Sequence, residues 1–315
     1  MRYYIGIDLG GTNIAGGIVN QDGNIILSES VSTPIHSTAE NIMDSIISIT
    51  QKLISEYGLT AKDIAGMGIG CPGTVNSETG VITYCVNIPM VNVNISEYIE
   101  SRTGISVNLE NDANAAALGE YYMNNRDANS FILITLGTGI GGGAVLGGKI
   151  YRGFNGVGIE AGHITLVHKG EQCSCGKKGC WERYGSVTAL INQTKQAMKQ
   201  NPDSIMCDIV AQYGEVNGRI AFDAAKLGDK AAEKVVQQYI EYVADGIVSV
   251  INMFEPEILA IGGGISKEGD YLLEPIVEFV RNNEYNKYCP QTKLKIASLM
   301  NDAGIIGAAL SCINK

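Results

Sequence analysis

The chain has 315 residues, 45% of them hydrophobic and 18% charged, with a formal net charge of −10. That is enough apolar material for two packed lobes instead of a single core. An acidic balance without a basic stripe excludes nucleic acid as a partner, and no apolar run reaches the roughly 20 residues of a membrane span.

The N-terminal part opens with apolar runs at Tyr3–Leu9, Ala15–Val19 and Ile25–Ser30, which predict strands. A strand beginning at Tyr3 leaves no room for a leader, so the expected location is cytoplasmic. Asn20-Gln21-Asp22-Gly23 predicts a hairpin turn between the second and third strands. Between the first two lies Asp8-Leu9-Gly10-Gly11-Thr12-Asn13. Glycines in a strand–strand turn expose backbone N–H groups to a phosphate, and the Thr hydroxyl adds a donor. An aspartate at the strand end can hold a magnesium ion through water. Ordinary tight hairpins have the same look.

A helix follows, with Ile42, Ile46, Leu53 and Ile54 near helical spacing. Ile64–Gly70 is the next strand and runs into Cys71-Pro72-Gly73. Ser106–Glu110 predicts another strand, followed by a helix over about 113–123. At their junction stands Glu110-Asn111-Asp112-Ala113-Asn114. Asp112 is placed to cap the helix. It is equally placed to accept a proton from a hydroxyl attacking a phosphate. Acid and amide groups crowded at a strand end suit a polyol.

The pattern then restarts. A strand over Phe131–Leu136 leads into Gly137-Thr138-Gly139-Ile140-Gly141-Gly142-Gly143 and a second apolar strand, an internal duplication of the opening. The glycines lead into a strand and not a helix, so a dinucleotide fold is excluded. Neither glycine turn carries Lys or Arg. Backbone dipoles and a metal must therefore offset the charge of a triphosphate. Helices are expected over Val187–Lys199, Ala231–Phe254 and Ala303–Ile313, and a buried strand at Ile258–Ile261 ends in Gly262-Gly263-Gly264.

Between these, Glu160-Ala161-Gly162-His163 precedes Cys173-Ser174-Cys175-Gly176-Lys177-Lys178-Gly179-Cys180-Trp181-Glu182. His163, Cys173, Cys175 and Cys180 fit a structural Cys₃His zinc site. The alternatives are a disulfide or solitary thiols, which a reducing compartment disfavours. Cys71, Cys85, Cys207, Cys289 and Cys312 show no ligand spacing and are expected as buried apolar residues. Glu160 and Glu182 bracket the loop; they are either solvated charges or carboxylates held rigid by the ion.

Together these motifs resemble the ROK family (repressor, open reading frame, kinase) of bacterial sugar kinases and related regulators, over essentially the whole chain. The resemblance implies an α/β, actin-like ATPase (ribonuclease H-like) fold, with two lobes around a cleft. It places a small lobe at 1–117, with the helix 303–315 packing back on it. The large lobe is 118–302 and carries the zinc loop 163–180. It implies Asp112 as general base and Gly73, Asn87, Asn111, Glu160, His163 and Glu182 at the sugar. Asp8, Gly10, Gly11, Thr12, Asn13, Thr138, Gly139, Gly262 and Gly263 would bind ATP with Mg²⁺, and zinc would be structural. Gly70-x-Pro72-Gly73 and the stretch from Glu110 to Glu120 are most similar to the glucose-phosphorylating members. Glucose is therefore the expected substrate, with N-acetylmannosamine, fructose or allose as alternatives, and a homodimer or homotetramer is expected. A sugar-sensing regulator is the remaining reading. The regulators carry a helix-turn-helix ahead of the first strand, where this sequence has only Met1 and Arg2.

Overall fold

The computed structural model describes residues 2–85 and 88–313. In chain order the elements are β1 (Tyr3–Leu9), β2 (Asn13–Asn20), β3 (Ile25–Ser32), α1 (Ala39–Glu56), β4 (Ile64–Cys71), β5 (Thr74–Asn76), β6 (Val81–Tyr84), β7 (Val91–Asn94), α2 (Ile95–Thr103), β8 (Val107–Asn111) and α3 (Asp112–Asn124). There follow β9 (Ser130–Leu136), β10 (Ile140–Leu146), β11 (Lys149–Ile150), α4 (Glu182–Gly185), α5 (Val187–Gln200), α6 (Ile205–Tyr213), α7 (Ile220–Lys226), α8 (Lys230–Phe254), β12 (Ile258–Gly262), α9 (Asp270–Asn283), β13 (Lys293–Ile296) and α10 (Asp302–Ser311). None of the described helices is long and apolar enough to cross a membrane.

The chain divides into two compact units. The first is Met1–Leu133, Gly143–Ile159 and Ser298–Lys315; the second is Ile134–Gly142 and Glu160–Ala297. The division runs through β9 and β10 and leaves α3 whole, whereas a boundary at 117 would cut that helix in the middle.

The first sheet has the order β3-β2-β1-β4-β8, and the second repeats it as β11-β10-β9-β12-β13. In each, the opening strands are successive neighbours on one side and the later strands lie on the other. This is the structural form of the duplication visible in the sequence. In the first sheet β1 pairs antiparallel with β2 and parallel with β4, and β4 pairs parallel with β8. A parallel interior strand is covered on both faces, which is why β1 and β4 read as nearly continuous apolar runs. The edge strand β3 alternates half-buried and exposed residues instead. The β2–β3 turn is closed by Asn20, whose Oδ1 accepts the N–H groups of Asp22 at 3.0 Å and Asn24 at 2.9 Å.

One face of the first sheet carries α1 and α2 over an apolar core of Ile5, Ile7, Ile42, Ile46, Leu53, Ile69, Ile99 and Leu109. The other carries α10, which packs on β1, β4 and α3. This contact is made backbone to backbone. A Cβ on Gly68 would fall 1.7 Å from the carbonyl oxygen of Ala308, and one on Gly307 would fall 1.6 Å from that of Ala115. No side chain fits at either position, so α10 lies directly on β4 and on α3, the helix that begins with Asp112.

Candidate active site

The strand register brings the acids of the first unit together. Asp8 pairs with Gly70, and Gly70 with Glu110, so β1, β4 and β8 end side by side. Ligands of open α/β sheets bind beyond such carboxyl ends. Gly70 keeps the space between them free: a Cβ there would meet Asp112 Cα at 3.7 Å and Ala115 Cβ at 3.2 Å.

Asp112 does not cap α3. Asn111 holds the extended backbone of an N-cap, and its Oδ1 accepts from Ala113 N at 3.0 Å and Asn114 N at 3.2 Å. Asp112 is the first helical residue, and its Oδ1 takes the N–H of its neighbour Ala113 at 2.8 Å. The cap reading expected for Asp112 thus belongs to Asn111. Burial raises the Asp112 pKa above the ordinary carboxylate range, against backbone N–H groups that lower it. Asp8 is pushed up to about 6, first by burial and then by the charge of Asp112. A polar cavity of about 570 Å³ opens beside Asp8, walled by Asn13, Ser28, Glu29, Ser30 and Asp302.

In the turn after Asp8 the carbonyls of Gly10, Thr12 and Asn13 all accept hydrogen bonds. Gly10 N donates to Asn13 O at 2.9 Å, Thr33 N to Thr12 O at 2.8 Å, and the Thr33 hydroxyl to Gly10 O at 2.7 Å. The turn of the second unit is tied down in the same way by the start of α5. Gly137 N donates to Gly139 O at 3.0 Å, Val187 N to Gly137 O at 2.9 Å, and the Thr188 hydroxyl to Thr138 O at 2.7 Å. What each turn retains for a ligand is N–H groups and an exposed Thr hydroxyl, Thr12 or Thr138. Such an edge can hold an anion without a cationic side chain. Gly263 has φ +89°, and a Cβ on it would lie 2.2 Å from Leu136 O, so the glycine run after β12 lies against the end of β9.

Gly73, at φ +91°, accepts from Asn111 Nδ2 at 3.3 Å, which joins the loop after β4 to the end of β8. Asn87 lies outside the described residues.

In the second unit Glu160 and His163 are joined by one helical turn, with His163 N donating to Glu160 O at 3.0 Å. The side chains of His163, Cys173, Cys175 and Cys180 converge, with all four ligand atoms within 4.8 Å of one another. Cys175 and Cys180 sulfurs are 3.6 Å apart, and Cys173 Sγ is 3.7 Å from His163 Nδ1. Tetrahedral Zn–S and Zn–N bonds give edges of about 3.8 and 3.6 Å, so the donor set fits zinc in spacing and in kind. Gly176 and Gly179, at φ +90° and +82°, fold the loop back on itself. The Glu182 carboxylate adjoins the cluster, with Oε1 3.0 Å from Cys173 Sγ and 3.7 Å from His163 Nδ1. Trp181 is fully buried, donates to Tyr242 O at 2.8 Å and lies against Gly246 of α8. It anchors the loop on the helix. Of the remaining cysteines, Cys71 and Cys85 are buried as expected, Cys207 and Cys312 are half-buried, and Cys289 is exposed. The Cys289 thiol falls outside any core because 287–291 is an exposed connection ahead of β13.

Residues 4–314 match the family model described as ROK family. The chain belongs to the ROK family. It is 36% identical over 316 residues to a glucokinase of Streptomyces coelicolor, covering 98% of this chain and 97% of that one. It is 33% identical to a glucokinase of Thermotoga maritima, with 97% and 95% covered. Its fold matches the crystal structure of a ROK family glucokinase from Streptomyces griseus in complex with glucose and AMPPNP, with a TM-score of 0.85, 34% identity and 98% of each chain covered. The α/β fold is thus the actin-like ATPase fold of the ROK sugar kinases.

Two sets of residues in this ROK chain carry no sequence motif. Thr33 and Thr188, which hold the glycine turns, lie 21 and 50 residues beyond Thr12 and Thr138. Arg152 meets the buried carboxylate of Glu110, with Nη2 2.6 Å and Nε 2.8 Å from Oε2. Only the folded chain brings such distant residues together.

Proposed function

We propose that the protein is an ATP-dependent hexose kinase that phosphorylates glucose at its 6-hydroxyl, with Asp112 as general base. The observation that carries the reading is the handover of the helix cap to Asn111. It leaves Asp112 as a desolvated carboxylate at the end of β8 with no cap to make. Burial raises its proton affinity, which suits a group that must take a proton from a sugar hydroxyl as the phosphoryl group is transferred. The family and its glucokinase relatives support both the reaction and the sugar.

The two glycine turns, with Gly10, Gly11, Thr12 and Asn13 in one unit and Thr138 and Gly139 in the other, are assigned to the ATP phosphates, with Gly262 and Gly263. Their N–H groups bind phosphate oxygens but carry no full charge. Asp8 is assigned to hold Mg²⁺, and the acid-lined cavity beside it fits a hydrated divalent cation. The ion would neutralise charge on the phosphates. Gly73, Asn87, Asn111, Glu160, His163 and Glu182 are assigned to the sugar. Asn111 has Nδ2 directed at Gly73 O, which fixes its amide. His163, Cys173, Cys175 and Cys180 are assigned to a structural zinc. Ligation through Nδ1 would fix the imidazole tautomer, so that the other ring nitrogen carries the proton and can donate to a sugar hydroxyl.

The test is a coupled assay across a hexose panel with ATP. Catalytic efficiency should be highest on glucose, ahead of mannose, fructose, allose and N-acetylmannosamine. A higher efficiency on N-acetylmannosamine would move the substrate assignment while keeping the reaction. No turnover on any hexose would remove the kinase reading itself.

A further inference from the structure

We infer that Glu110 and Arg152 form a positioning pair that holds the Asn111–Asp112 junction in the geometry for phosphoryl transfer; the inference rests on the reading of Asp112 as the base. Glu110 is a β8 residue whose side chain is only 1% exposed. A buried carboxylate is costly unless every acceptor site is used, and here both oxygens are engaged. Oε1 accepts from Asn111 N at 3.0 Å and from Asn114 Nδ2 at 3.1 Å. Oε2 accepts from Arg152 Nε at 2.8 Å and Nη2 at 2.6 Å.

One carboxylate therefore touches the last strand residue, the first turn of α3 and the segment after β11. Asp112 lies between the first two of these contacts. Its carboxyl is held by its two chain neighbours, the N–H of Ala113 and the side chain of Asn111, so its direction follows the backbone at 111–114. Asn111 fixes that backbone by capping, and Glu110 fixes Asn111 and Asn114. Arg152 makes the charged form of Glu110 tolerable where water does not reach it. The loop that presents Arg152 is itself held: Gly158 N donates to Arg152 O at 2.9 Å, and a Cβ on Gly156 would lie 2.8 Å from Val75 O.

The two partners are not equivalent. Arg152 has a side chain 41% exposed and can rehydrate when its partner is lost. Glu110 cannot. Arg152→Met should therefore do more damage than Glu110→Gln, and adding Glu110→Gln to Arg152→Met should repair part of it. The neutral amide that Glu110→Gln introduces can still accept the Asn111 N–H. Its NH₂ group is a donor beside Asn114, whose Oδ1 is buried without a hydrogen-bond partner among the described residues.

The experiment compares Arg152→Met, the double variant and Asp112→Asn by single-turnover transfer from ATP to glucose and by calorimetric glucose binding. A displacement of reacting groups by an ångström costs up to about 10²-fold in rate. Arg152→Met should lose about 10- to 100-fold in transfer rate and a smaller factor in glucose affinity, since Asn111 is held by the same carboxylate, and the double variant should recover several-fold of the rate. Unchanged transfer in Arg152→Met, a rise in glucose KM at constant kcat, or no recovery in the double variant would overturn the pairing. Asp112→Asn separates the two claims: if it retains its rate, the base assignment fails whatever Arg152 does.

Discussion

Gly139 and Glu182 are neighbours: a Cβ on Gly139 would lie 2.8 Å from Glu182 Oε2. The other oxygen of the same carboxylate lies 3.0 Å from Cys173 Sγ. A single side chain thus links the glycine turn of the second unit to the cysteine loop.

Gly139→Ala should therefore weaken sugar binding as well as raise the ATP KM, because the added methyl pushes on the carboxylate. We expect about a tenfold loss in each, roughly 1.4 kcal/mol. Gly137→Ala is the control, since a Cβ there meets nothing within 4 Å. It should leave glucose affinity within about twofold, a change under roughly 0.5 kcal/mol. Calorimetric titration with glucose and with an ATP analogue separates the two effects. Glucose affinity unchanged in Gly139→Ala would mean that Glu182 does not hold the sugar.

Asp8 gives a pH dependence with a definite sign. Its folded pKa of about 6 lies above the ordinary carboxylate value, so the folded chain binds this proton more tightly than the unfolded chain does. Stability should fall as pH rises from about 4 through about 6. A rise of two units corresponds to an order of 2–3 kcal/mol. Asp8→Asn should accordingly melt several degrees higher than the unsubstituted protein at pH 8, without nucleotide, and should show a flatter stability profile between pH 4 and 7. It should also lose activity with ATP and Mg²⁺. Equal melting temperatures at pH 8 would contradict the burial argument.

The cysteine loop predicts an ordered loss of function on metal removal. A strong chelator should release about one zinc per chain and weaken glucose binding by at least about tenfold, while ATP binding changes less. Cys175→Ala should behave in the same way. Elemental analysis without stoichiometric zinc, or glucose affinity that survives complete removal, would refute the assignment of His163.

The main strands and helices were legible because their signals are local. The apolar run Tyr3–Leu9 is β1 residue for residue, and Asn20 and Gly23 make the turn their types predict. The cluster of His163, Cys173, Cys175 and Cys180 is legible for the same reason, its members being close in sequence with glycines at the bends. The sheet β5-β6-β7 is not, because strands of three to four residues are too short to show a period. The cap at α3 could not be assigned either. Asn and Asp are equally good caps, and only the backbone shows that Asn111 is extended and Asp112 helical. Glu110–Arg152 and Gly139–Glu182 depend on residues about 40 positions apart, which no spacing rule connects.

The most direct test of the central claim is to follow the γ-phosphorus of ATP by NMR with protein, Mg²⁺ and glucose, beside the Asp112→Asn variant. The account predicts that the γ-phosphate signal is replaced by that of glucose 6-phosphate, at least about 10²-fold more slowly in the variant. Release of inorganic phosphate without a sugar phosphate, or equal rates in the two proteins, would contradict it.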